Sequence, residues 1–158
     1  MKGKGRERIA EVLGNGQRGP RVGVALVLWR TTEKTMFLLG EGHSSRESIY
    51  ALPGGHVENY ERLVDAALRE LREEADVDAS LMNLVSVHEF ENTEKKAWYV
   101  VAGFEGVLAR GTPRVMEPDK KKNWGWWSPR DALGLALFEP DRVLIERVVG
   151  GPIYRTDR

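Results

Sequence analysis

Residues 55–77 read GHVENYERLVDAALRELREEADV, directly behind the glycine-rich run Leu52-Pro53-Gly54-Gly55. Val64, Ala67, Leu68, Leu71 and Ala75 recur at the i, i+3, i+4, i+7, i+11 spacing of an amphipathic helix, predicted over residues 61–75. At about 100° per residue, Glu74 lies about 40° round the helix from Glu70, and Glu73 about 60° to the other side. Three carboxylates therefore crowd one edge, flanking the apolar stripe and turned toward a solvent-filled cleft. Like charges at this spacing repel by about a few tenths of a kcal/mol per pair. A cation held between them turns that repulsion into binding, and oxygen-only donors suit Mg²⁺ or Mn²⁺ rather than zinc. Arg69, four residues before Glu73, is placed for an ion pair that fixes the Glu73 carboxylate.

The spacing of Gly55, Glu61 and Arg69-Glu70-Leu71-Arg72-Glu73-Glu74-Ala75-Asp76-Val77 resembles the Nudix box of the MutT-like pyrophosphohydrolases. The order of elements around the box extends the resemblance to most of the chain. It implies a Nudix-type α/β/α sandwich with a mixed central sheet, a fold that periodicity alone does not specify beyond a layered α/β domain. It also implies metal ligation by Glu70, Glu73, Glu74 and the Gly55 carbonyl. One of these glutamates, or a loop glutamate, would serve as general base. Glu61 is read as structural, orienting Arg69. The box departs from the family pattern at Asp76, where glycine is usual. Tyr60 stands where a glycine often precedes Glu61, and Glu41-Gly42 stands in place of a basic pair that related enzymes carry after Leu-Leu-Gly. Asp76 falls near the C′ position of the helix, where a left-handed conformation is common.

The bulk composition is permissive. The chain has 158 residues, 24 basic and 24 acidic, and no cysteine. Its length suits one domain with a real core. The balanced charge points to neither nucleic acid nor membrane as partner, and the lack of cysteine fits a reducing compartment. No apolar run in the N-terminal stretch is long enough for a signal peptide or a span, so cytoplasm is the expected location. Residues 1–20 read as a mobile segment or, alternatively, as one short helix around Ile9, Val12 and Leu13; residues 21–150 read as the domain and residues 151–158 as a tail.

Val22 to Trp29 is a continuous apolar run, read as a buried strand, and residues 36–39 as its short partner. Residues 40–48 read as a polar loop, and Gly54-Gly55 as a turn that needs positive φ or close backbone approach. Residues 81–90 and 97–108 are predicted strands joined by a hairpin. Residues 109–122 are predicted loop and 123–127 a last strand. Ser128-Pro129 is a helix start with Ser as N-cap, and residues 139–149 a terminal helix. Of the five tryptophans, Trp29, Trp98 and one of Trp126 or Trp127 are expected in the core. One or two of the tryptophans, with Phe90 or Tyr99, are available to stack on a base.

Beyond the box, Met116-Glu117-Pro118-Asp119-Lys120 and the aromatic Trp124-Gly125-Trp126-Trp127 resemble nucleotide-cleaning Nudix enzymes of the thiopurine and oxidised-purine kind. That similarity makes Glu117 a further ligand or base; read alone, it is a loop glutamate in water. His56 matches the same branch, as a substrate contact or a hydrogen-bonded structural histidine. Lys120, Lys121 and Arg46 are candidates for substrate phosphates, against the alternative of solvated loop charges. The marker proline of ADP-ribose hydrolases falls here on Asn92 or Thr93. The tyrosine of dinucleoside polyphosphate hydrolases is displaced to Tyr99, and the coenzyme A signature is missing. The resemblance therefore implies a nucleoside triphosphate cleaved to monophosphate and pyrophosphate. Alternatives are a nucleotide sugar of the GDP-mannose type, or a non-catalytic nucleotide-sensing module, which would be expected to lose box glutamates. A small nucleotide is the expected partner, and the resemblance admits a homodimer.

Overall fold

The computed structural model describes residues 19–43 and 48–150. Residues 1–18, the loop position Arg46 and residues 151–158 lie outside the described residues. The apolar run near the start forms β1 (Arg21–Trp29), and its lack of alternation is explained by burial on both faces. Val24, Leu26 and Leu28 belong to one apolar layer, and Ala25, Val27 and Trp29 to the other. Around β1 gather β2 (Phe37–Gly42), β3 (Tyr50–Ala51), β4 (Gly54–His56), β5 (Asp78–Asn92), β6 (Ala97–Arg110) and β7 (Lys121–Trp127). The main path of the sheet runs β3-β2-β1-β6-β5, with β4 paired to β1 and β7 to β2. β1 and β6 are parallel while the other pairs are antiparallel, so the sheet is mixed.

One face is covered by α1 (Leu63–Ala75), whose Ala66, Ala67, Leu71 and Ala75 pack on Val24, Leu26, Leu28, Leu38 and Phe104. The other is covered by α2 (Pro129–Leu133) and α3 (Glu139–Val148), through Ala132, Leu144 and Ile145 against Ala25, Val27, Phe37 and Leu39. This is the α/β/α sandwich the box implies. Ser128 caps α2 as its sequence predicts: its hydroxyl accepts the Asp131 N–H at 3.2 Å, with Pro129 opening the helix.

Several expectations need correction. β2 continues through Gly42 where the sequence reads as loop, because β7 pairs along it from Phe37↔Trp127 to Gly42↔Lys121. The same pairing draws Lys121 and Lys122 from the predicted loop into a strand. β4 is a strand where a turn was expected, since β1 offers it a free edge. The helix begins at Leu63, after an extended Arg62, which leaves Glu61 free to fold back on the helix. Trp98 is not a core residue: it is 54% exposed. Tyr99 faces inward on β6, and the two-residue period of a strand turns Trp98 to solvent.

Candidate active site

The two glycines of the Leu52–Gly55 loop are required by close approach, not by positive φ. A Cβ on Gly54 would stand 2.2 Å from the Val24 carbonyl oxygen, and one on Gly55 2.3 Å from Glu70 Oε1. Removing both side chains lets the backbone lie against β1 on one side and the acidic edge of α1 on the other. Glu74 is turned into this contact and is buried, with its Oε2 accepting the Gly54 N–H at 3.1 Å. The expectation that all three carboxylates meet solvent therefore fails for Glu74. Glu73 alone stays out, its side chain 55% exposed, while that of Glu70 is 14% exposed.

Arg69 organises this edge. Its Nε and Nη2 donate to the two oxygens of Glu61 at 2.7 and 3.0 Å, a bidentate pair. Nη1 donates to Glu70 Oε1 at 3.0 Å and to Glu73 Oε2 at 3.1 Å, and Nη2 also reaches the His56 carbonyl at 2.9 Å. The Arg69–Glu73 pair is the one their i,i+4 spacing suggests, and Glu61 pairs with Arg69 as its structural reading expects. The C-terminal carbonyls of α1 are satisfied by the chain that crosses it. Trp124 Nε1 and the Met116 N–H donate to the Glu74 carbonyl at 3.1 and 3.3 Å, and the Arg114 N–H to that of Ala75 at 3.0 Å. These bonds bring Glu117 and the lysines to the acidic edge.

Electrostatics follow from this packing. Burial pushes Glu74 up to about 7, opposed by the Gly54 N–H and Lys121 and reinforced by Glu70 and Glu117. Burial also raises Glu70; Arg69 opposes it, and the charges of Glu73 and Glu117 add to it. Glu61 is held below its usual range, first by its hydrogen bonds from Arg69. Glu117 accepts from Lys120 Nζ at 2.7 Å, and this bond, more than the nearby Glu74 and Glu70 charges, raises the lysine. Lys121 Nζ stands 5.6 Å above the Trp124 ring. Lys122 turns away, to Glu41 Oε1 and Ser48 Oγ, each at 3.3 Å.

Among the described residues, no three acidic or histidine side chains converge into a ready-made metal cage. Arg69 stands between Glu70 and Glu73, and Glu74 rests on Gly54. The donors fit a hard divalent cation all the same. They are oxygens only, and two carboxyls are held above their usual range by burial that a cation would compensate.

Beside this edge opens a cleft of about 250 Å³, lined by Gly54, Gly55, His56, Glu74, Lys121 and an aromatic wall. In that wall His56 and Tyr99 lie 5.7 Å apart, Tyr99 and Phe90 6.0 Å, and Phe90 and Phe138 5.6 Å between ring centroids. Two lining residues, Phe138 and Asp141, went unread in the sequence. In the sequence they stand in Phe138-Glu139-Pro140-Asp141, at the start of the predicted terminal helix, where nothing sets them apart. Asp141 is buried, accepts the Leu52 N–H at 2.8 Å, and is pushed up to about 7 by burial against that bond.

Comparison with known proteins agrees with this fold. The family profile described as NUDIX domain matches residues 19–148. The m7GpppN-mRNA hydrolase NUDT17 of Danio rerio is 46% identical over 66 residues, covering 40% of this chain and only 21% of that relative. A MutT NUDIX hydrolase from Burkholderia pseudomallei superimposes with a TM-score of 0.73 at 27% identity, covering 83% of this chain and 99% of that one. The NUDIX domain of Shewanella oneidensis NrtR, solved with ADP ribose, has a TM-score of 0.69 at 20% identity, covering 89% of this chain and 96% of that one; that likeness speaks to the fold alone. With the family profile spanning nearly all the described residues, this chain belongs to the Nudix domain family.

Proposed function

We propose that the protein hydrolyses a (d)NTP to (d)NMP and pyrophosphate with Mg²⁺ or Mn²⁺ as cofactor. The observation that carries this reading is the junction of an acidic, lysine-flanked edge with a single aromatic wall. A triphosphate meets the first and one base the second. In this reading Glu70, Glu73, Glu74 and the Gly55 carbonyl hold the metal, which when bound neutralises phosphate charge and activates water. Arg69 keeps Glu70 and Glu73 oriented. Lys120, Lys121 and His56 meet the phosphates, a role also proposed for Arg46. Water adds to the α- or β-phosphorus, the bond from that phosphorus to the oxygen bridging the two breaks with its electron pair going to the leaving pyrophosphate or NMP, and a carboxylate takes the water's proton. Glu117, or one of Glu73 and Glu74, is the group proposed for that proton.

No helix among the described residues is long and apolar enough to cross a membrane, and cytoplasmic residence and a homodimer belong to the same proposal. The name of the zebrafish relative places a capped dinucleotide beside canonical and modified NTPs, ADP-ribose and nucleotide sugars in a test panel. With Mg²⁺ and ¹⁸O water, the expected result is NMP and pyrophosphate, labelled in one of the two. Orthophosphate as first product, or cleavage confined to nucleotide sugars or caps, refutes the reading.

A further inference from the structure

Asp141 is a buried carboxyl that the proposed chemistry leaves without a task. Its place in the backbone supplies one. The chain entering α3 runs beside β3 as a short parallel ladder. The Tyr50 N–H donates to the Ala136 carbonyl and the Phe138 N–H to the Tyr50 carbonyl, both at 2.8 Å, with Tyr50 opposite Leu137. In such a ladder the next donor on that edge, the Leu52 N–H, would go to Phe138. The Phe138 carbonyl is already taken by the first turn of α3, accepting from Asp141 N at 3.0 Å and Arg142 N at 3.1 Å. Asp141 Oδ2 accepts the Leu52 N–H instead. A side chain thus continues a ladder that the helix interrupts, and a buried N–H is satisfied.

Two residues on, the Gly54 N–H donates to Glu74. The three-residue stretch Leu52-Pro53-Gly54 is therefore gripped by carboxylates from opposite layers of the sandwich, Asp141 from α3 and Glu74 from α1. Pro53 has no N–H to offer, and its carbonyl accepts from Leu26 at 3.0 Å, so these bonds leave the loop little freedom. We infer that Asp141 is a positioning residue, which holds the Leu52–Gly54 backbone so that the Gly54 N–H stays aimed at the Glu74 carboxylate and Gly55 stays against Glu70. The inference rests on the proposed role of that acidic edge for its kinetic consequence, but not for its structural one.

The test uses Asp141→Asn, which keeps an acceptor oxygen and the shape, and Asp141→Leu, which keeps the branched outline in a larger side chain and removes the acceptor. The Gly54 amide is followed by hydrogen exchange in metal-free protein, alongside melting curves, kcat, KM and the Mg²⁺ concentration for half-activation. Asp141→Leu should exchange at Gly54 at least roughly tenfold faster, as expected for a lost local restraint. Its kcat should fall at least roughly tenfold with KM within about twofold, since only the reacting geometry is disturbed. Asp141→Asn should restore both to within about threefold. If Asp141→Leu does not fold, Asp141→Ser, whose hydroxyl is too short to reach Leu52, takes its place with the same readouts. Unchanged Gly54 exchange in a folded variant overturns the inference, as does a change confined to KM that differs from base to base, which would make Asp141 a reader of the substrate. Faster Gly54 exchange in a protein that hydrolyses none of the panel would support the positioning role and refute the proposed function alone.

Discussion

Glu74→Gln should make the metal-free protein more stable at about pH 8 while abolishing turnover. The wild-type carboxyl is buried, and its folded-state value of about 7 lies well above the ordinary 4.5. The folded state therefore binds this proton more tightly than the unfolded state does. Stability from this group is complete below the unfolded value, declines as pH rises between 4.5 and about 7, and stays low above that. The full loss is about 3 kcal/mol. Glutamine is neutral throughout and keeps an oxygen for the Gly54 N–H, but its buried NH₂ forfeits about 1 kcal/mol for want of a partner. The net gain at about pH 8 is about 2 kcal/mol, or roughly 4–8 °C in Tm for a domain of this size. At about pH 5 the wild-type group is mostly protonated when folded, so the gain should shrink to nothing or reverse. Asp141 titrates in the same window, but it is common to both proteins and cancels in the difference. Thermal melts of both proteins at the two pH values, in excess chelator, read this directly. A Tm gap that is absent at about pH 8, or equal at both pH values, refutes the claim that burial and not hydrogen bonding dominates at Glu74. Adding Mg²⁺ should then raise the wild-type Tm more than that of the variant, because only the carboxylate gains a counter-charge.

Glu73→Gln should lower kcat by at least roughly 10²-fold with an unchanged melting curve, since its exposed side chain contributes little to the fold; steady-state kinetics and a melt together check it. Asp76→Gly should raise stability by about 0.5–1 kcal/mol and leave kcat within about twofold. Asp76 holds φ 56° and ψ 40° as the C-cap of α1, a conformation that suits glycine, and its pair with Arg114 is too exposed to offset the relief. A fall in activity or in Mg²⁺ sensitivity would instead give Asp76 a part in the site.

The left-handed cap at Asp76, the hairpin between β5 and β6, the Ser128 cap and the amphipathic course of α1 were all legible in the chain, because each depends on neighbours a few residues away. So was the Arg69–Glu73 pair, since an i,i+4 spacing fixes distance whatever lies beyond the helix. Period alone could not say which edge residues of α1 end up inside. Glu73 and Glu74 are adjacent and chemically identical, yet one is exposed and the other buried. The difference comes from β4, whose Gly54 N–H draws the Glu74 carboxylate inward, and from Trp124, whose indole N–H binds the Glu74 carbonyl at the end of the helix. Asp141 lies 89 residues from the Leu52 N–H it accepts, and nothing near either residue in the chain announces the other. Local sequence determined the elements and the order of the carboxylates along one helix. Tertiary packing decided which carboxylates lose their water, because desolvation depends on what the sheet and the far helix bring against them.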